Sequence, residues 1–167
     1  MAIFDLGERF LEFLTKVNIG DFRLAEELPD VDKYDIAIVE GTAITKEQKR
    51  RLKIIRKKSK ILIALGACAI LGGPQEIKDY RGNKSRLIRQ IYPNIRGIDN
   101  PNVKSVKEMI KVDLEIPGCP INKEEFFEII NKVIKGEIPK IEQKPVCEEC
   151  PRKNNMCLLL LEKPCLG

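Results

Sequence analysis

Six cysteines carry the chemistry this sequence offers: Cys68, Cys119, Cys147, Cys150, Cys157 and Cys165. Four of the six fall within the last 21 residues, among proline and charge. Three disulfides satisfy the even count, but in a chain without secretory features such clustering points to a metal site. The tail spacing is Cys147-x2-Cys150-x6-Cys157-x7-Cys165. A C-x-x-C pair sets two thiolates on one tight turn, able to grip one metal or two irons of one cluster. Tetrahedral zinc also takes four cysteines, usually as two close pairs. The unequal spacing here, with Pro151 and Pro164 beside cysteine, leans toward a [4Fe–4S] cluster. Zinc and disulfide remain the alternatives. Cys68 and Cys119, taken singly, read as small buried hydrophobes. Taken together, both follow an apolar stretch and both sit among Gly, Ala and Pro, where backbone can approach a cluster and point amides at its sulfurs. A cubane cluster needs four thiolates, and these positions supply two.

The elements that must position them follow from periodicity and capping. Residues 5–16 predict a helix with Asp5 as cap and Glu8 as its reciprocal partner. VNIGDF from Val17 predicts a short strand, and residues 34–41 (YDIAIVEG) a strand buried on both faces. Thr45 and Gln48 form a capping box opening a helix to about Lys58, followed by an apolar strand over 60–66. GACAILGGP, 66–74, is rich in small residues; 75–105 is polar and irregular with a short helix near Lys84–Ile91. A further strand covers 112–118, and Asn122 caps a helix ending at Gly136, with Glu125 as box partner.

Alternation of strand and helix predicts an α/β fold: a parallel sheet with helices on both faces. In such sheets ligands bind beyond the carboxyl ends of the strands. Glu40-Gly41-Thr42, Gly66-Ala67-Cys68-Ala69 and Pro117-Gly118-Cys119-Pro120 are therefore expected to converge on one edge. Residues 1–137 form the predicted α/β domain, and 138–167 a small irregular cysteine-rich segment organised by what its thiols bind.

Bulk properties agree with one ordinary domain. The chain has 167 residues, 43% of them hydrophobic, and a net charge of +5. No apolar run of ~18 residues exists to span a membrane. No basic region followed by an apolar stretch marks a secretory leader, so a cytoplasmic location is expected. The basic stretch Lys46–Lys60 is interrupted by Leu52, Ile54 and Ile55 and reads as a solvated helix face with an apolar stripe, not a nucleic-acid surface.

DIAIVEG (35–41), ILIALGACAILGG (61–73), VDLEIPGCP (112–120) and CEECPRKNNMCLLLLEKPCLG (147–167) resemble, in order and spacing, the small subunit of nickel–iron hydrogenases. The tail is similar to that of the cytoplasmic methanogen and sulfhydrogenase types. GACA and PGCP are shared with the related twenty-kilodalton subunit of respiratory complex I. The resemblance implies a flavodoxin-like domain followed by an iron–sulfur region. It implies that Cys68 and Cys119 are two ligands of a proximal [4Fe–4S] cluster and that Cys147, Cys150, Cys157 and Cys165 bind the next cluster outward. The other proximal ligands belong to a C-x-x-C pair lying, in the family, just before the residues matching Met1-Ala2-Ile3, and family members continue past the residues matching Gly167. The expectation is a chain clipped at both ends. Ile121 stands where a second proline is common. The expected function is an oxidoreductase subunit: electron transfer from a nickel–iron centre in a partner large subunit to a further subunit or carrier. Glu40, whose family position faces the large subunit, has an interface or proton-path role by the same resemblance and is otherwise a solvated strand-end carboxylate. A complex I-like quinone reductase subunit and a non-redox zinc module are the competing functions.

Overall fold

The computed structural model describes residues 8–20, 32–80, 86, 89–90, 102–141, 146–150 and 154–165. Three parallel strands lie side by side in chain order: β1 (Tyr34–Glu40), β2 (Ser59–Leu65) and β3 (Leu114–Ile116). β2 is central, and its residues Leu62 to Leu65 are buried. That is why its run SKILIAL is almost wholly apolar.

The strand period of two divides the core. Leu62 and Ala64 point to one face, where they meet Leu52 of α2 (Lys46–Lys58), Ala69 and Ile70 of α3 (Gly66–Leu71) and Val106 of α4 (Val106–Met109). Ile63, Leu65, Leu114 and Ile116 point to the other, against Phe126, Ile129, Ile130 and Val133 of α5 (Lys123–Ile134). These four α5 residues follow the i, i+3, i+4, i+7 spacing of one helix face. Phe13 of α1 (Glu8–Leu14) joins that layer, meeting Phe127 edge to face with centroids 5.7 Å apart. Helices therefore cover both faces of the sheet.

Local signals decide the helix ends. The Thr45 hydroxyl accepts from the Gln48 amide at 3.1 Å, while the Gln48 side chain accepts from the Thr45 amide at 3.0 Å, and α2 begins and ends where the capping box and Lys58 suggested. Asn122 accepts from the Glu125 amide at 3.2 Å and opens α5. In the basic α2, Leu52 is buried and Ile55 partly so, but Ile54 faces outward.

Four expectations are corrected. Residues 17–20 form no strand, and the remainder of that predicted strand lies outside the described residues; among the described residues the sheet has three strands, not four. The strand expected over 112–118 pairs only at Leu114–Ile116, because Pro117 lacks a ladder donor and Gly118 turns the chain. β1, expected to be buried on both faces, is at the sheet's edge and only half-buried, with Asp35, Ile38 and Glu40 exposed. The stretch 75–105, read as irregular, opens in a 3-10 helix, Pro74–Tyr80, and α4, with its own Ser105–Glu108 capping box, begins just after it. Of the short helix expected near Lys84–Ile91, Arg86, Arg89 and Gln90 are helical, and the rest lies outside the described residues, as does the Asp5 cap.

The opposite edge of the sheet is closed by charge. Arg56, in the last turn of α2, donates to the carbonyls of Ser59 (2.8 Å), Lys60 (3.1 Å) and Lys111 (3.3 Å) and pairs with the Asp113 carboxylate. The same Asp113 oxygen accepts the Leu62 amide at 2.8 Å, and the Asp113 amide donates to the Leu62 carbonyl at 2.9 Å. No helix among the described residues is long and apolar enough to cross a membrane.

Candidate metal centre

The strand register aligns the three carboxyl ends in one row. Glu40 pairs with Leu65, and Leu65 with Ile116. Beyond each end the backbone turns at a left-handed glycine: Gly41 (φ +76°), Gly66 (φ +79°) and Gly118 (φ +132°). At Gly66 and Gly118 the turns come into contact. The Ala67 amide donates to the Gly118 carbonyl at 3.0 Å, joining the turn that carries Cys68 to the turn that carries Cys119. A Cβ on Gly66 would stand 3.5 Å from that same carbonyl oxygen, and one on Gly118 would be 2.7 Å from the Ile121 Cα. The first is an ordinary contact, whereas the second leaves no room for a side chain within the Cys119 turn itself.

Cys68 is half-buried in α3, and Cys119 is exposed, with a cis peptide bond to Pro120. α3 ends at Gly72 (φ +83°), whose amide donates to the Cys68 carbonyl at 3.0 Å, and Gly73 (φ +68°) then folds the 3-10 helix back toward Cys68. The point where a Gly73 Cβ would stand is 2.5 Å from the Cys68 sulfur and 2.9 Å from the Gln75 side-chain oxygen. The surrounding loops are braced. The Thr42 hydroxyl donates to the Lys104 carbonyl, and the Asp79 carboxylate accepts the Val103 amide at 2.6 Å. Glu40 is exposed at the same edge.

The donor chemistry at this edge fits half of a thiolate-ligated cluster: two cysteines on linked turns, in a setting stripped of side chains that would block close approach. The tail is different. Cys147, Cys157 and Cys165 are exposed and Cys150 is half-buried; all six cysteines are free. Among the described residues no group of three or more Cys, Asp or Glu side chains is gathered closely enough to hold a metal ion. The structure thus links the turns of Cys68 and Cys119 through one backbone hydrogen bond and gathers no three of the tail cysteines, among the described residues. The position of Gln75, beside Gly73 as Cys68 is, was not anticipated from the sequence. The signal available was GGPQ, two glycines and a proline directly ahead of a side chain with amide donors.

Residues 1–133 match the family described as NADH ubiquinone oxidoreductase, 20 Kd subunit. The chain is 35% identical over 164 residues to sulfhydrogenase 2 subunit delta of Pyrococcus furiosus, covering 97% of this chain and 68% of that protein. It is 31% identical over 169 residues to a subunit of the F420-non-reducing hydrogenase of Methanocaldococcus jannaschii, covering 92% of this chain and 57% of that one. The chain thus spans only part of the length of these relatives. A chain of the crystal structure of an NAD+-reducing [NiFe]-hydrogenase in the H2-reduced state superposes with a TM-score of 0.71 at 27% identity, over 86% of this chain and 87% of that one. The family match, the hydrogenase relatives and the shared fold agree with one another, and the chain belongs to the NADH ubiquinone oxidoreductase 20 Kd subunit family, as an oxidoreductase subunit of its hydrogenase kind.

Proposed function

We propose that this chain is the electron-transfer subunit of a nickel–iron hydrogenase, working beside a large subunit that holds the hydrogen-splitting centre and passing electrons to a further subunit or carrier. The observation that carries the reading is the hydrogen bond between the Cys68 and Cys119 turns, which sets two thiols on one sheet edge. Cys68 and Cys119 would be two of four ligands of a proximal [4Fe–4S] cluster, with the remaining two thiolates supplied from outside this sequence. Cys147, Cys150, Cys157 and Cys165 would hold a second cluster once it draws them together. Such clusters, when bound, supply one-electron carriage at potentials set by thiolate ligation, amide hydrogen bonds and burial.

The chain's own residues prepare the site. The Ala67 amide ties the two turns together at the Gly118 carbonyl, and the sheet holds both turns on strand ends. The Thr42–Lys104 and Asp79–Val103 hydrogen bonds fix the neighbouring loops. Glu40, on the same edge, would face the large subunit and carry protons there. Glu40→Gln then lowers hydrogen turnover of the assembled enzyme by about 100-fold, in the range for loss of a proton-transferring group; unchanged turnover assigns Glu40 to the solvated surface.

The test is anaerobic purification of the assembled complex, followed by metal analysis and electron paramagnetic resonance. Iron with acid-labile sulfide and reducible signals is expected. Cys119→Ser removes one signal and leaves the signal of the tail. One zinc per chain without any reducible signal makes the protein a structural zinc module. Loss of every signal in Cys119→Ser removes the division into two cluster sites.

A further inference from the structure

Gln75 is the first side chain after Pro74 in the 3-10 helix, and its amide reaches back across Gly73 to the turn that carries Cys68. The Cys68 sulfur and the Gln75 side-chain oxygen stand 2.5 Å and 2.9 Å from the position of a Gly73 Cβ. The two groups therefore flank one small gap, which any residue but glycine would fill. Gly73 is also left-handed (φ +68°), so an L side chain there is strained as well as obstructed. A half-turn about the last Gln75 torsion exchanges the amide oxygen for its NH2 group, which presents two donors. The helix that carries Gln75 is anchored at both ends: the Glu76 amide donates to the Gly73 carbonyl at 3.1 Å, and Asp79 accepts the Val103 amide at 2.6 Å. Its neighbour Glu76 is turned away over Gly72, where a Cβ would collide with the Glu76 carboxylate. Of the polar side chains at the start of this helix, Gln75 shares with Cys68 the space over Gly73.

We propose that Gln75 is a positioning residue for the Cys68 ligand, donating a side-chain N–H to the Cys68 sulfur across the gap that glycine at 73 keeps open. The inference rests on the cluster reading above. A thiolate sulfur in a cluster carries negative charge, and more of it after one-electron reduction. A donor aimed at that sulfur stabilises the reduced form and raises the potential. The electron comes from the hydrogenase reaction itself, and the amide gives up no proton. Gln75 acts through the ligand and not on the reacting hydrogen, so its signature is a potential.

The test is a redox titration of the assembled complex, followed by electron paramagnetic resonance, for wild type, Gln75→Leu and Gln75→Glu. Gln75→Leu removes the donor and keeps an apolar side chain of similar bulk. At a fixed potential its reduced-to-oxidised ratio for the proximal signal falls about tenfold, a shift of about 59 mV for a one-electron couple. Gln75→Glu puts a carboxylate in place of the amide and moves the midpoint further in the same direction. The tail signal keeps its midpoint in both. Gln75 is exposed, so neither change threatens folding, and iron content per chain checks that the cluster is loaded. A proximal midpoint unchanged in both variants, with iron and signal intact, overturns the role of Gln75 and leaves the electron-transfer reading standing. A wild-type complex without iron overturns both.

Discussion

Asp113 shows how one residue ties sequence chemistry to architecture. Its carboxylate pairs with Arg56 and accepts the Leu62 amide, clamping the end of α2 to the start of β3. Burial pushes this carboxyl up. The hydrogen bond from Arg56, the Leu62 amide and the Arg56 and Lys111 charges outweigh it and hold the group below its ordinary value. A depressed folded value stabilises the fold at every pH above the unfolded value, near 4. That contribution is lost as pH falls through the depressed folded value. Asp113→Asn leaves Arg56 without its charged partner and costs about 1–3 kcal/mol at neutral pH by urea denaturation. Its disadvantage shrinks as pH drops below about 4, where wild type loses the same interaction. A constant gap between the two proteins at every acid pH contradicts the assignment. Cys68 and Cys119 were visible at this scale as residues beside glycine and proline after apolar runs. The approach of Gln75 to Cys68 was not, because it depends on two consecutive left-handed glycines, Gly72 and Gly73, reversing the chain.

The Pro117–Ile121 turn is the element on which the site depends most. Gly118 has φ +132°, its carbonyl receives the Ala67 amide, and it forms an antiparallel bridge with Ile121. Gly118→Ala would place a Cβ 2.7 Å from the Ile121 Cα and 2.8 Å from the Pro120 oxygen. Backbone must move, not a flexible side-chain end, so the substitution costs about 2–4 kcal/mol. It also distorts the turn that carries Cys119. The expected readout is a lower denaturation midpoint together with loss of the proximal iron signal; unaltered stability and iron content refute the tight-turn account. Helices α2 and α5 were readable because each begins with a side chain that satisfies orphan amides and continues with an apolar face. α3 was harder to read. Gly66-Ala67-Cys68-Ala69 has no side-chain cap, and its helix is set by packing of Ala69 and Ile70 under the sheet.

At the scale of the whole molecule, stability resides in the two layers against β2, and the cysteine-rich tail contributes little to it. Ile130 is 1% exposed between α5 and the sheet, whereas Leu160 is 83% exposed. Ile130→Ala costs about 2–5 kcal/mol by loss of transfer energy and an imperfectly closing cavity. Leu160→Ser changes the isolated chain by less than about 0.5 kcal/mol. Equal effects of the two changes in urea denaturation contradict this division. Met156 and the run Leu158–Leu161 are exposed together in the chain alone, a solvent-facing group of apolar side chains of the kind that marks contact with another surface.

The sequence by itself determined the α/β class, the apolar strands β1 and β2, the caps at Thr45 and Asn122, and the family. Each rests on local periodicity, local hydrogen bonding or residue types at set intervals, which need no distant partner to be read. Tertiary structure alone decided that β3 is three residues long, that the Ala67 amide meets the Gly118 carbonyl, and that Gln75 and Cys68 both lie beside Gly73. Those facts depend on strand register and on backbone reversals at left-handed glycines, where residues well separated along the chain are brought into contact and neighbouring letters carry no trace of the partner.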